Sequence, residues 1–360
     1  MKKQPMILLA AACFFCGLLS GCAQQTMEET TVPNETSTEA AQIIFTAGET
    51  EIPVQTETNV QMVTFTDSTV QLTQKGETKE IYCGPAEMEE VSWYSEDETV
   101  AILARGSVIA VGDGTTTVWA RYRQQEVSCQ VTCRIDPDAP VLQAPQELIH
   151  SPRLAPPCEE PQDLGFFDDA VILGDSVSYT LFMWNNIHKK LGNAIFLTRG
   201  SFGLDNSVAN GFSLYYQGVE YAVEDAVAAV HAKKILVMLG TNDLARFGPE
   251  GTVALWDAFL EKILARNPGL EIYIQSCTPV HPDSDYTVLG NQVMDEYNAL
   301  LKAYCREKGY YFIHIAPYFK DFTNCLVDGY CSDQYVHLSF QGAEVWAKAL
   351  LAYAAGALPE

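Results

Sequence analysis

Phe167-Asp168-Asp169-Ala170-Val171-Ile172-Leu173-Gly174-Asp175-Ser176 runs from two acids through four apolar residues into a small polar turn. A short apolar run without polar alternation is the pattern of a strand covered on both faces, as in a parallel sheet. The same texture returns at 194–197, 235–239, 272–274 and 311–315. Between these runs, Val219, Ala222, Val223, Ala226, Val227 and Val230 recur at i, i+3, i+4, i+7, i+8 and i+11, which predicts a helix with one apolar side. Further helical patterns occupy about 251–266, 291–308 and 341–354. Alternating strand and helix predicts an α/β fold with a doubly wound parallel sheet, and such sheets bind ligands beyond the carboxyl ends of their strands.

The turns at those ends carry the polar residues. Gly174-Asp175-Ser176 follows the first strand, Arg199-Gly200-Ser201 the second and Gly240-Thr241-Asn242-Asp243 the third, while Asp333-Gln334-Tyr335-Val336-His337 precedes the last helix. Each has a bland reading. Gly marks turns, Asn and Asp cap helices, and a His near a carboxylate is usually a surface pair. Together, in one order and on one predicted rim, they suit a hydrolase with Ser, His and Asp in cooperation.

This set resembles the SGNH or GDSL-type hydrolase family, matched by Ser176, Gly200, Asn242 and His337 over about residues 166–356. The resemblance implies a flavodoxin-like sheet, Ser176 as nucleophile, His337 as its base, and an oxyanion hole made by the N–H groups of Ser176 and Gly200 with the Asn242 amide. The family usually places its acid three residues before the His, where this chain has Gln334. Asp333, four before, is therefore assigned to orient His337, with Asp328 or a Ser–His dyad as alternatives. His281 follows the fourth strand and is a candidate pocket residue. His314 reads as core or rim, and His150, His188 and His231 as surface. Tyr215, Tyr216, Trp184 and Phe202 read as core before ligand contacts. No metal-ligand spacing and no Gly-rich nucleotide fingerprint occurs, so neither metal nor cofactor is expected.

Upstream the texture changes. Short β-rich runs at 61–65, 79–83, 91–94, 100–103, 108–111, 115–122 and 126–133, with Gly-Asp-Gly at 112–114, predict a small antiparallel sandwich at 59–134. Val91-Ser92-Trp93-Tyr94-Ser95, Gly106-Ser107-Val108-Ile109-Ala110-Val111 and Gly114-Thr115-Thr116-Thr117-Val118 resemble the bacterial immunoglobulin-like domain, group 2, which implies that Trp93 packs between the sheets. Seven prolines between Pro137 and Pro161 predict an extended, helix-free linker at 135–165, ahead of a hydrolase domain at 166–358. Residues 23–58 are rich in Thr, Glu and Gln, a disordered tether.

Lys2 and Lys3 precede an apolar run ending in Leu19-Ser20-Gly21-Cys22. The charged start and short apolar core read as a secretory signal over 1–22, and the small residues before Cys22 resemble the bacterial lipobox, which implies lipidation of Cys22 and attachment to the outside of the cell membrane. Eleven cysteines fit an exported chain in which disulfides are permitted. Cys325 with Cys331 is one expected pair, with free buried thiols as the alternative. The 360 residues carry 22 Lys and Arg against 46 Asp and Glu, a formal charge of −24, the wrong sign for a nucleic-acid partner.

These readings converge on a lipid-anchored serine esterase whose substrate is a small ester or an acylated polysaccharide, short acyl groups being favoured. O-acetyltransferase, lysophospholipase or thioesterase chemistry on the same site, and a non-catalytic glycan-binding surface protein, are the alternatives.

Overall fold

The computed structural model describes residues 63–84, 86–157, 164–184, 186–209, 211–285 and 288–358. The expected signal, Cys22, the tether and Cys158 lie outside the described residues.

Seven strands come first: β1 Thr69–Leu72, β2 Thr78–Glu80, β3 Ser92–Ser95, β4 Ala101–Ala104, β5 Ser107–Ala110, β6 Gly114–Tyr122 and β7 Gln125–Cys133. They form two sheets, ordered β1-β7-β6-β3 and β2-β5-β4. Alternating residues of β6 and β7 point inward, where Val118, Val131 and Leu103 surround a fully buried Trp93. The Tyr82 ring meets the Trp93 indole edge-on at 5.1 Å. The expectation of an all-antiparallel sandwich needs one correction: β1 pairs β7 in parallel, Val70 opposite Val131. The run at 61–65 contributes, in its described part, only a bridge between Phe65 and Tyr82.

The proline-rich stretch is not free of helix. Helix α1, Gln146–Ile149, starts directly after Pro145. A proline before the first turn costs a helix nothing, because the first N–H groups have no intrahelical partner. Beyond α1 the chain straps the sandwich to the carboxyl-terminal α/β portion. The Arg153 carbonyl accepts the Trp93 N–H at 2.9 Å and its own N–H donates to the Lys320 carbonyl at 3.1 Å, while its guanidinium pairs with Glu98 and covers the Phe322 ring.

The remaining elements are β8 Ala170–Gly174, α2 Ser176–Met183, β9 Ile195–Thr198, α3 Leu204–Val208, β10 Ser213–Tyr216, β11 Val219–Ala222, α4 Val223–Val230, β12 Lys234–Met238, α5 Thr241–Arg266, β13 Glu271–Gln275, α6 Asn291–Lys308, β14 Tyr311–Ile313 and α7 Phe340–Ala354. Five of the strands form a parallel sheet ordered β14-β13-β12-β8-β9. The chain leaves β8 toward β9 on one side, then returns to build β12, β13 and β14 on the other. The crevice where the order reverses, between β8 and β12, is where such sheets place ligands. Every residue of β8 is buried, and Trp256 and Trp346 are fully enclosed in the same core.

Three expectations fail here. The apolar series from Val219 to Val230 is not one helix. Gln217 and Gly218 adopt φ of 50° and 80°, the two left-handed residues of a tight hairpin turn, so Val219 and Ala222 lie in β11 against β10 and the helix begins only at Val223. Helix α5 also starts ten residues before the expected 251, with a break at Gly248 ahead of Pro249. Finally, Cys325 and Cys331 are free thiols. The Cys325 N–H is taken by the Asp321 carboxylate at 3.0 Å, whereas Cys331 Sγ faces Asp333 at 3.6 Å.

Candidate active site

Ser176 stands at the junction of β8 and α2. Asp175 caps the helix, its Oδ1 accepting the Val177 N–H at 2.9 Å, and Ser176 is the first helical residue. First-turn N–H groups have no partner inside a helix. The Ser176 N–H, among the described residues, has none elsewhere. Oγ lies 2.9 Å from His337 Nε2, and His337 Nδ1 lies 2.5 Å from Asp333 Oδ2. A carboxylate can only accept, so Nδ1 carries the proton and Nε2 is free to receive one from the serine.

The acid reaches its partner from four residues away because the loop turns back on itself. Gln334 occupies the left-handed region, φ 57°, and Asp333 Oδ1 gathers the N–H groups of Tyr335, Val336 and His337 at 2.9, 3.2 and 3.2 Å. Burial alone would raise the Asp333 carboxyl. The hydrogen bond and charge of His337, with the N–H groups of Tyr335 and His337, outweigh it and hold the group below its ordinary value. Trp184, at the end of α2, ties down the far side of this loop through Nε1–H to the Leu338 carbonyl at 3.0 Å.

Asn242 is the second residue of α5, beyond β12. Its Nδ2 donates to Asp175 Oδ2 at 3.2 Å and to the Phe202 carbonyl at 3.0 Å, so one amide joins the serine turn to the Gly200 loop. Gly240, just before it, has φ of 122°, and a Cβ there would lie 2.2 Å from the Tyr297 hydroxyl; no other residue fits. Gly200 is different: a Cβ would meet nothing within 4 Å, so packing does not demand glycine and the backbone is left open to approach. Its loop is held by the Arg199 N–H on the Gly174 carbonyl and by the Arg199 guanidinium on Ser213.

The buried carboxylates were not singled out from sequence. Asp175 is 1% exposed, and burial pushes it up to about 6 against the N–H groups of Val177 and Ser178 and the charge of His337. Asp243 caps α3 through the N–H groups of Leu204 and Asp205 at 2.9 and 3.1 Å, and burial raises its carboxyl as well. The signal available was the acid beside each motif residue, Asp175 before Ser176 and Asp243 after Asn242.

The other candidates lie elsewhere. Asp328 serves His281, which donates from Nε2 at 3.0 Å while its Nδ1 accepts the Asp283 N–H. His281 touches neither Ser176 nor His337, but its backbone N–H holds the Tyr335 carbonyl at 2.8 Å. His150 is half-buried, bonded at 2.7 Å to Asp321, a correction to its reading as a surface residue. His188 is half-buried too, its ring 5.1 Å from that of Phe182, so it also departs from the surface reading. Phe202 is fully buried and stacks on Phe212 at 4.7 Å, a core role. A cleft of about 710 Å³ is lined by His150, His281, Arg105 and Glu90, and by Asp328, Gly329 and Tyr330 ahead of the Asp333–His337 loop; it does not contain Ser176. A smaller hollow of about 280 Å³ opens beside Asn242, lined by Ser201, Asp205, Asn206 and Arg246. Among the described residues no cluster of three or more His, Cys, Asp or Glu could hold a metal ion.

Residues 172–345 match the GDSL-like Lipase/Acylhydrolase family. No curated protein matches the chain. Among solved structures, a GDSL-like lipase from Bacteroides thetaiotaomicron is 16% identical with a TM-score of 0.42, over 55% of this chain and 92% of that one. An acetyl xylan esterase from Geobacillus stearothermophilus is 16% identical with a TM-score of 0.37, over 54% of this chain and 97% of that one.

Proposed function

We propose, from the premise that residues 172–345 are a GDSL-like lipase/acylhydrolase domain, that this ester hydrolase is a cell-surface serine esterase removing short acyl groups, O-acetyl above all, from a carbohydrate. The observation that carries the reading is the unbroken series of hydrogen bonds from Ser176 through His337 to Asp333.

In the proposed reaction Ser176 Oγ attacks the ester carbonyl as His337 Nε2 takes its proton, and Asp333 stabilises the imidazolium. The carbonyl oxygen becomes an oxyanion facing the N–H groups of Ser176 and Gly200 and the Asn242 amide. Collapse breaks the ester C–O bond, the alcohol leaves with the proton from His337, and the acyl group stays on Ser176. Water then repeats the sequence and releases the acid. Asn242 already has two protein acceptors, so donation to the oxyanion exchanges one of them.

Cys22 is the proposed lipid attachment, and two acyl chains would anchor the chain stably outside the membrane. The sandwich at 69–133 is proposed to be an immunoglobulin-like spacer. Mass mapping after fluorophosphonate labelling tests the nucleophile without knowledge of the substrate. Label on the peptide containing Ser176, with loss of p-nitrophenyl acetate hydrolysis in Ser176→Ala, is the expected result; undiminished turnover by Ser176→Ala would remove the reading.

A further inference from the structure

The loop carrying Asp333 and His337 sends its peptide groups in two directions. The N–H groups of Tyr335, Val336 and His337 converge on Asp333 Oδ1. The carbonyls of Gln334 and Tyr335 are taken by a segment that follows β13. Ser284 Oγ donates to the Gln334 carbonyl at 2.8 Å, across 50 positions of sequence, and the His281 N–H donates to the Tyr335 carbonyl at 2.8 Å. The Gln334 carbonyl and the Tyr335 N–H belong to one planar peptide unit. Ser284 therefore holds one end of that unit and Asp333 the other, at 2.9 Å. The unit follows Gln334, the left-handed residue with φ of 57°.

The segment that supplies the hydroxyl is itself fixed at several points. Asn291, buried at the start of α6, accepts the Val280 N–H through Oδ1 at 2.8 Å and donates to the Val280 carbonyl through Nδ2 at 3.0 Å. Pro282, with its locked φ, opens a 3₁₀ turn, Pro282–Ser284. The His281 ring caps that turn by accepting the Asp283 N–H, while its other nitrogen donates to Asp328. The Ser284 N–H is held by the His281 carbonyl at 2.9 Å, and Ser284 is only 8% exposed. Its hydroxyl thus reaches the loop from a rigid base. Donation into the Gln334 carbonyl also polarises the amide, which strengthens what its N–H gives to the carboxylate. One series of hydrogen bonds then runs from Ser284 through the 334–335 peptide, Asp333 and His337 to Ser176.

The geometry points to Ser284 as a positioning residue for the acyl transfer: by holding the 334–335 peptide it keeps Asp333 Oδ2 on His337 Nδ1, and so His337 Nε2 on Ser176. Ser284 touches neither the substrate nor the reacting atoms and acts through Asp333. This rests on the esterase reading above and adds to it a residue far from the catalytic motifs in sequence.

The experiment measures kcat and KM on p-nitrophenyl acetate for the mature protein and its variants, with thermal unfolding alongside. Ser284→Ala should lose about five- to tenfold in kcat, the worth of one net hydrogen bond, with KM within about twofold. Ser284→Thr keeps the hydroxyl and should stay within about twofold of wild type. Added to Asp333→Asn, Ser284→Ala should cost less than about twofold further, because the series is already broken at the residue through which Ser284 acts. Ser151→Ala is the comparison: it removes a hydroxyl, also buried, from the Leu148 carbonyl at 2.7 Å and should leave kcat unchanged. Undiminished kcat in Ser284→Ala overturns the proposal. So does a loss in Ser284→Thr equal to that of the alanine variant, a loss that multiplies in full on Asp333→Asn, or an equal loss in Ser151→Ala. Failure of the esterase reading is separate: p-nitrophenyl acetate hydrolysis would then survive Ser176→Ala.

Discussion

Asp333 precedes His337 by four residues, and its Oδ2 meets His337 Nδ1 at 2.5 Å while its Oδ1 holds the His337 backbone N–H at 3.2 Å. One carboxylate therefore fixes both the ring and the chain that carries it. Asn at 333 keeps the shape but offers Nδ1 an amide that can donate, which favours the tautomer with its proton on Nε2, where Ser176 needs an acceptor. Asp333→Asn should lower kcat on p-nitrophenyl acetate by about 10⁴ with little change in KM. A loss below tenfold would mean that another group orients His337.

Gln334 makes that geometry possible by adopting φ of 57°, a region costly for most side chains and worst for β-branched ones. Gln334→Gly should retain full activity and unfold at the same or a higher temperature. Gln334→Val should cost about 1–3 kcal/mol locally, or else drive the loop out of register and take Asp333 from the ring. Thermal unfolding and kcat measured together decide it: a Val variant with wild-type values in both would show that the loop does not depend on this conformation.

Much of this was legible in the residues because the chemistry sits where strands end. Ser176, Gly200 and Asn242 each follow an apolar strand, and a parallel sheet gathers such ends on one rim, while His337 stands just before the last helix. Asp333 was legible as a residue, but its reach depends on the backbone angle of Gln334, which composition does not reveal. The β10–β11 hairpin was hidden because Val219 and Ala222 fall at helical spacing with Val223 and Ala226, and only the turn at Gln217 and Gly218 breaks the series. The parallel pairing of β1 with β7 joins residues some sixty positions apart, beyond any local pattern. Pairs such as His281 with Asp328 and His150 with Asp321 likewise depend on loops that meet only in the fold.

Asn242 makes two contacts that a purely structural residue would also make, to Asp175 and to the Phe202 carbonyl. The proposed role in the reaction is separable by kinetics. Loss of one oxyanion donor costs about 10²–10³ in rate, so Asn242→Ala should fall by that amount in kcat, and in acylation measured by pre-steady-state burst, while remaining folded by circular dichroism. Were acylation unaffected and only thermal stability reduced, the amide would be a brace between two loops and the oxyanion would be held by the Ser176 and Gly200 N–H groups.

Asp175 permits a test by stability. Burial lifts its carboxyl from the ordinary 3.8 to about 6, so between those values the folded chain holds a proton that the unfolded chain has lost. Stability must then fall as pH rises from about 4 to about 6 and stay level above, by about 3 kcal/mol for a shift of this size at 1.36 kcal/mol per pH unit. Other groups add slopes of their own; Asp333, whose value is lowered, contributes one of opposite sign. Asp175→Asn removes only the first. The difference in unfolding free energy between wild type and Asp175→Asn, from urea titrations at pH 4 and pH 7, should shift by about 3 kcal/mol in favour of the variant at the higher pH. A difference that is the same at both pH values would show that this carboxyl titrates alike in the folded and unfolded chains, and that the hydrogen bonds from Val177 and Asn242 fully offset its burial.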